Sequence, residues 1–139
     1  MLKKDMELID RIPSPEVDIN TLKGILKEYS KPYEKISSWV DQGVLIRMAM
    51  GWYVLGKEFR KRPWSREYMA NVLYGPSYIS LDYALSFYSL IPERVMTVTS
   101  VTTMKSRIID TSLGRFSYRK VPERVYRNGM DLQFPETGP

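Results

Sequence analysis

The sequence contains neither cysteine nor histidine in its 139 residues. Without cysteine there is no disulfide framework and no thiolate metal site, and without histidine the most common general base and metal ligand is missing. The two absences exclude most zinc, haem and Ser-His-Asp chemistry. We therefore expect no metal and no cofactor.

Long apolar runs are missing as well. The first 12 residues mix charged with apolar side chains, whereas a signal peptide needs an uninterrupted apolar stretch behind its basic start. No run of about 18 apolar residues occurs, which is the length that a transmembrane helix requires. We expect a cytoplasmic protein that does not bind a membrane.

The composition that is present is that of an ordinary globular protein with a mild excess of positive charge. Hydrophobic residues make up 43% and charged residues 27% of the chain, and such a chain is expected to fold. Residues 1–62 carry 12 Lys or Arg against nine Asp or Glu, and residues 63–139 carry nine against seven. Both halves are thus compatible with a polyanionic partner, although many proteins without such a partner are equally basic.

Three amphipathic helices are predicted in the first 43 residues. Each has apolar residues at spacings of three and four. Asp18 is expected to cap the second helix, Ser30 to cap the third, and Gly43 to end it. The three apolar faces consist of Leu2, Met6, Ile9 and Ile12, of Ile19, Leu22, Ile25 and Leu26, and of Ile36, Trp39 and Val40.

A hairpin is predicted directly after the third helix. Residues 44–56 form two β-prone arms around Met50 and Gly51, and the glycine supplies the positive φ that a tight turn needs. Three helices followed by a hairpin is the order of a winged helix-turn-helix. The basic, proline-ended stretch 57–63 marks a boundary. We expect an α+β protein with a winged helix-turn-helix DNA-binding domain at 1–62 and a small domain of helices and a β-hairpin at 63–139.

The second half contains both helix and strand signals. A helix is predicted from a Ser65 cap to Leu73, and a Gly75-Pro76 break separates it from another helix that begins at Ser80. Val and Thr predominate from 94 to 103, and 107–111 and 115–121 flank a tight turn, so strands are predicted there. The polar tail from residue 122 onward is expected to be poorly ordered unless it is bound.

In a helix-turn-helix the second helix of the pair lies in the major groove, which here is the helix after Ser30. Its outward residues and the basic residues of the hairpin and the following stretch are the candidates for contacts with bases and phosphates. Glu34 and Asp41 lie on the same helix face and make it nearly neutral. A winged helix that binds a protein instead of DNA would show the same near-neutral charge on this helix face. The DNA-binding candidates are Lys31, Tyr33, Lys35, Ser37, Ser38, Arg47, Lys57, Arg60, Lys61 and Arg62.

A second basic surface is predicted in the C-terminal half. Its members are expected to line one side of the β-hairpin and to extend the surface that contacts DNA. The alternative is that they are ordinary solvated charges, because alternate residues of a strand point to the solvent. They are Lys105, Arg107, Arg115, Arg119 and Lys120.

Several stretches resemble one known family. The run 71–88, the segment 90–93, the strand segment 99–103 and the hairpin segment 113–119 follow one another as in the AbiEi antitoxins of type IV toxin–antitoxin systems. Gly43-Val44-Leu45 and Gly51-Trp52-Tyr53 also resemble the wing of that family. Family members usually continue beyond the hairpin, so the second domain is expected to be shortened relative to the family.

The resemblance implies a function. It implies a bacterial winged-helix domain that represses its own operon by binding inverted repeats of double-stranded DNA, with a homodimer as one arrangement on the operator. It also implies a C-terminal domain that opposes a nucleotidyltransferase-like toxin without necessarily touching it.

An enzyme would have to work without histidine or cysteine. The acids Asp82, Glu93 and Asp110 show no spacing typical of a carboxylate pair or a metal site. The sequence also has no glycine-rich phosphate loop and no nucleophile elbow. We expect a non-enzymatic DNA-binding repressor of antitoxin type, with a protein-interaction module that reuses the winged-helix fold as the alternative.

Overall fold

The computed structural model describes residues 3–79 and 97–133. The chain divides into two compact units, Met1–Ser65 and Arg66–Pro139. The boundary falls after Ser65, whereas the sequence places it after Arg62. Both units contain helices and strands, so the chain is of mixed helix-and-strand class, as the sequence predicts.

The N-terminal unit consists of three helices and a three-stranded antiparallel sheet. Its elements are α1 (Lys3–Asp10), β1 (Glu16–Asp18), α2 (Ile19–Ile25), α3 (Pro32–Asp41), β2 (Leu45–Arg47) and β3 (Trp52–Leu55). The strand order is β1-β3-β2. The three helices and the hairpin are confirmed. Strand β1 was not predicted, because three residues are too few to show the alternation of a strand.

The core of this unit lies between the helices and one face of the sheet. Trp39 and Leu22 are completely buried and Ile36 is 1% exposed, which confirms the predicted inner face of α3. Leu45 in β2 and Tyr53 and Leu55 in β3 close the core from the strands. Burying side chains of this size stabilises a small domain by roughly 1.5–3 kcal/mol each, so this apolar layer holds α3 in place.

The predicted inner face of α1 is wrong in part. Met6 is 44% exposed, whereas Asp5 is buried together with Leu8 and Ile9. The carboxylate of Asp5 lies 2.8 Å from the ammonium group of Lys35. This ion pair allows Asp5 to be buried on the inner face of α1, the face on which the apolar pattern placed Met6. A pattern of apolar residues alone cannot detect such a pair.

The predicted cap of α3 is also wrong by one residue. Lys31, and not Ser30, is the N-cap, and among the described residues its side chain makes no capping hydrogen bond. Pro32 at the first helical position sets the start of the helix, because its φ suits a helix and it has no N–H to satisfy. Asp18 occupies the N-cap position of α2 as predicted, but its carboxylate accepts from the Thr21 hydroxyl and, within the described residues, makes no capping hydrogen bond with a backbone N–H. Gly43 follows α3 with φ +79°, which confirms its role at the end of that helix.

The hairpin closes through a tight turn within the three residues that separate Met48 from Trp52, since Met48 N–H donates to the Trp52 carbonyl at 3.0 Å. Trp52 N–H donates to the carbonyl of Ala49 at 2.9 Å, and the two central residues, Met50 and Gly51, have φ 54° and 81°. Positive φ at both positions defines a type I′ turn, whose twist matches that of the strands. The positive φ predicted for Gly51 is confirmed, and Met50 adopts one too.

Gly24, near the end of α2, provides a test of local stability. Among the described residues outside the backbone of α2 itself, nothing lies within 4 Å of the position of a Cβ at Gly24, so a methyl group fits there. Because alanine is a better helix former and restricts the unfolded chain, Gly24→Ala should raise the free energy of unfolding by up to about 1 kcal/mol. Urea unfolding followed by circular dichroism measures the change, and a decrease would contradict it.

The C-terminal unit contains a four-stranded sheet with helices. Its described elements are α4 (Arg66–Leu73), β4 (Ser77–Ile79), β5 (Thr97–Thr102), β6 (Arg107–Thr111), β7 (Gly114–Lys120) and α5 (Glu123–Gln133). The strand order is β4-β5-β7-β6, in which β5 and β7 are parallel and the other pairs antiparallel. The hairpin predicted around 112–114 is confirmed. The helix predicted from Ser80 lies outside the described residues.

Two sequence-based predictions for this unit are wrong. The segment after Pro76 is strand β4 rather than a plain connector between helices, and residues 123–133 of the predicted loose tail form α5. One aromatic pair explains both. The rings of Tyr78 in β4 and Tyr126 in α5 lie 4.7 Å apart, and the Tyr78 hydroxyl donates to the Tyr126 carbonyl at 2.7 Å. Such long-range contacts are invisible in local sequence patterns.

Buried tyrosines make this unit sensitive to alkaline pH. Burial raises the pKa of Tyr118 well above its ordinary value and also raises the pKa values of Tyr78 and Tyr126. The unfolded chain then loses these protons near about pH 10, before the folded protein does. The stabilisation is therefore complete below about pH 10 and is lost as the pH rises through the folded pKa values.

We expect the urea midpoint of the protein to fall steeply above about pH 10. Tyr118→Phe should lower the midpoint at neutral pH, because the Tyr118 hydroxyl donates to the Ala70 carbonyl, a bond of about 1 kcal/mol. The same variant should show a shallower alkaline fall. An alkaline fall of the same slope in Tyr118→Phe would show that this tyrosine does not cause it.

Candidate nucleic-acid interface

The outward face of α3 is polar and accessible. Tyr33 is 57% exposed and Ser37 is exposed, while Ile36 and Trp39 on the opposite side are buried. The side chain of Lys31, at the N-cap, is 72% exposed. A short helix with one face in the core and the other exposed is able to enter the major groove of DNA.

One cation of this face was missed by the sequence analysis. The ammonium group of Lys23 in α2 lies 5.1 Å from the centre of the Tyr33 ring, within the range of a cation–π interaction. The contact joins two helices, so no spacing along the chain reveals it. We use "groove face" for Lys23, Lys31, Tyr33 and Ser37.

Acidic side chains moderate the charge of this face. Glu34 has a side chain 74% exposed and lies 3.8 Å from the ammonium group of Lys31, and Asp41 is exposed as well. Ser38, a predicted base contact, is half-buried, and its hydroxyl accepts a hydrogen bond from Gln42 Nε2 at 2.9 Å. Ser37 is therefore better placed than Ser38 to reach a base edge.

Lys35 does not belong to the outward face. Its ammonium group pairs with buried Asp5, its side chain is only 19% exposed, and it lies 5.5 and 5.8 Å from the rings of Tyr29 and Trp39. Lys35 was predicted as a DNA-binding residue at the edge of the groove-facing positions, and the structure has it half-buried and paired with Asp5. Its charge is used to join α3 to α1.

The hairpin contributes one cation on its strands. Arg47 in β2 is exposed, and its guanidinium lies 5.9 Å from the centre of the Tyr53 ring in the paired strand. Stacking on an aromatic ring limits the motion of a long side chain. Arg47 thus offers a positioned positive charge in the same unit as the groove face.

The remaining basic candidates form a separate group after β3. Lys57, Arg60, Lys61 and Arg62 surround a shallow depression with Pro63 and Trp64, and we call these four cations the basal cluster. Arg62 lies 3.4 Å from the buried carboxylate of Glu16, which also accepts a hydrogen bond from Ser65 N–H. Because Glu16 pairs with Val54 near the end of β3, the basal cluster lies at the end of the sheet opposite the Met50-Gly51 turn.

The second basic surface does not line one side of its hairpin. The register pairs Asp110 with Arg115 and Arg107 with Tyr118, so alternation along β7 puts Arg115 and Arg119 on one face and Arg107 and Lys120 on the other. Lys105 is exposed in the loop before β6. This prediction is therefore wrong in its geometry.

Two members of that surface have local partners. Asp110 accepts a hydrogen bond from Arg115 Nε at 2.6 Å, and this pairing raises the pKa of Arg115. Arg107 lies 5.5 Å from the ring of Tyr74. The close ion pair with Asp110 makes Arg115 a weaker candidate for a phosphate contact.

Comparison with known proteins adds no relative. No protein-family model, no curated protein and no solved structure matches the chain. Within residues 3–79 and 97–133, no three acidic side chains converge on a metal site, and none of the helices has the length and apolar character that a membrane crossing requires. Asp82 and Glu93 lie outside the described residues.

Proposed function

We propose that the N-terminal unit is a winged helix-turn-helix that binds double-stranded DNA. The observation that carries the proposal is the groove face, in which Lys31 and Tyr33 are exposed and half-buried Lys23 lies beside the Tyr33 ring, while the other side of α3 is fixed in the core. A strand between the first two helices that joins the hairpin in one sheet is the arrangement expected of this fold. The hairpin would be the wing.

Each residue of the interface has a chemical role in this proposal. Lys23 and Lys31 neutralise phosphates, the Tyr33 hydroxyl donates to a phosphate oxygen, and Ser37 reaches a base edge. Arg47 supplies a cation from the wing. Displaced counterions would make the affinity strongly dependent on salt. No step of this scheme needs a cofactor or catalysis, and we propose that the protein is not an enzyme.

The biological role that fits best is that of a bacterial, cytoplasmic transcriptional repressor of antitoxin type. It rests on the resemblance of residues 71–88, 90–93, 99–103 and 113–119 to the AbiEi antitoxins. The repressor would bind its own operator, with a homodimer on paired half-sites. Its C-terminal unit would oppose a nucleotidyltransferase-like toxin.

A second candidate is a protein-interaction module built on the same fold. The exposed carboxylates of Glu34 and Asp41 favour it, because they repel the phosphate backbone unless one accepts from a cytosine amine. A protein partner with basic residues would instead pair with them.

Fluorescence anisotropy of labelled duplexes separates the two candidates. The full chain is titrated against the DNA directly upstream of its own coding sequence and against a shuffled control, each at low and at high salt. Tighter, salt-dependent binding to the upstream DNA supports the repressor. Equal, unsaturable binding of both duplexes contradicts it and favours the interaction module.

A further inference from the structure

The basal cluster concentrates positive charge in one short stretch of the N-terminal unit. Residues 57–62 contain four cations and a single acid, and Lys57 and Lys61 are exposed. Among the described residues, the only ion pair of the cluster joins Arg62 to Glu16. Because like charges repel one another, so many cations in one stretch create a positive field that attracts an anionic partner.

The stretch that carries the basal cluster is anchored at both ends. At its start, Phe59 packs against the core of the unit and its N–H donates to the Gly56 carbonyl at 2.9 Å. At its end, the buried carboxylate of Glu16 lies 3.4 Å from Arg62 and accepts a hydrogen bond from Ser65 N–H. A solvated linker has no such anchors. The charges are therefore held in a fixed arrangement, which lowers the entropic cost of binding a partner.

We propose that the basal cluster binds an acidic segment of a partner protein. Its cations surround a shallow depression that Pro63 and Trp64 also line, so a carboxylate-rich segment with one apolar side chain fits both the charge and the shape. Arg60 supplies a planar guanidinium group, which pairs with a carboxylate through two parallel hydrogen bonds. Arginine and tryptophan are also enriched at the centres of protein interfaces.

DNA is the other polyanion that a basic cluster attracts, and the position of the cluster favours a protein. Gly56, directly before the cluster, donates its N–H to the carbonyl of Val44, just beyond the C-terminal end of α3. The ten residues of α3 span about 15 Å, so the cluster begins well away from Lys31 at the other end of the helix. This choice of partner rests on the proposed function, which places DNA at the groove face.

Two labelled peptides and two charge variants test the proposal. The probe is a fluorescein-labelled peptide of glutamates around one phenylalanine, and its control has glutamine in place of each glutamate. The full chain should bind only the glutamate peptide, with an affinity that falls at high salt and with shifts of the backbone amide resonances of residues 57–64.

The variants locate the binding by removing equal charge from two surfaces. Combined Lys57→Ala, Arg60→Ala and Lys61→Ala should weaken binding of the glutamate peptide about tenfold. The matched variant, which should keep that affinity, carries Lys23→Ala, Lys31→Ala and Arg47→Ala. Urea unfolding checks that both variants are folded, and titration with the upstream duplex is repeated on each.

The outcomes separate this inference from the proposed function. Loss of peptide binding in the basal-cluster variant alone, with duplex binding retained, supports the inference. Equal loss in both variants, equal binding of the two peptides, or no saturable binding of the glutamate peptide would overturn it and leave the proposed function standing. Loss of duplex binding in the basal-cluster variant alone would also overturn it, because the cluster would then belong to the DNA interface. Saturable peptide binding at residues 57–64 by a chain that binds no duplex would support the inference and overturn the proposed function.

Discussion

Asp5→Ala is expected to lower the free energy of unfolding of the N-terminal unit by about 2–3 kcal/mol. Asp5 is 5% exposed and its carboxylate lies 2.8 Å from the ammonium group of Lys35. Removal of one partner leaves the other charge in a poorly solvated position, which costs about 3–5 kcal/mol for a fully buried pair. The partial exposure of Lys35 reduces that figure. Urea unfolding of the full chain measures the change.

A double variant distinguishes the ion pair from simple loss of packing. Asp5→Leu with Lys35→Met replaces both charges by apolar groups of similar size, and stability should return to within about 1 kcal/mol of the original. Because Lys35 is not on the groove face, this double variant should also retain DNA binding. Loss of affinity in a stable Asp5→Leu/Lys35→Met protein would place Lys35 at the DNA after all.

The second large effect is expected at the groove face and wing. Combined Lys23→Ala, Lys31→Ala and Arg47→Ala should weaken binding to the upstream duplex about 100-fold, since each charged interaction contributes roughly 1 kcal/mol. The slope of log affinity against log salt should become shallower by about 3, at roughly 0.9 for each phosphate that is no longer neutralised. Anisotropy titrations at several salt concentrations give both quantities.

The basal cluster offers a control of equal charge. Lys57→Ala, Arg60→Ala and Lys61→Ala also remove three positive charges, but from the end of the sheet opposite the Met50-Gly51 turn. We expect this variant to lose much less affinity and to retain most of the salt slope. Equal losses in the two triple variants would mean that net charge, and not the groove face, determines binding.

The sequence predicts the elements of the N-terminal unit better than their contacts. The buried face of α3 follows from the period of Ile36 and Trp39, and the end of that helix follows from Gly43, because both depend on local chain geometry. The inward position of Asp5 and the involvement of Lys35 depend on a charge pair between α1 and α3. Charged residues ordinarily stay in contact with water, and a buried ion pair is an exception to that preference. No pattern of neighbouring residues in the sequence reveals such a pair.

The candidate site shows the same division. Lys31, Tyr33, Ser37 and Arg47 were identified from their positions on one helix and one hairpin. Lys23 was missed because its relation to Tyr33 exists only once α2 and α3 are packed. The contact between Arg62 and Glu16 at 3.4 Å joins residues far apart in the chain, so no local pattern reveals it.

In the C-terminal unit, the sequence predicted the structure formed by residues that are neighbours in the chain. It did not predict the contacts between distant segments. The β6–β7 hairpin was found because its turn and both arms are neighbours in the chain. The parallel pairing of β5 with β7 and the packing of α5 through Tyr126 join distant segments, which patterns of hydrophobicity do not encode. The division of the basic residues between two sheet faces follows from the β6–β7 register and the alternation along β7.

The most direct test of the DNA-binding proposal is a map of backbone amide resonances of the full chain as the upstream duplex is added, with the shuffled duplex as reference. The proposal predicts changes concentrated at residues 23, 31–37 and 47–51, larger with the upstream duplex and sensitive to salt. Changes concentrated in the C-terminal sheet, or no changes at all, would contradict it.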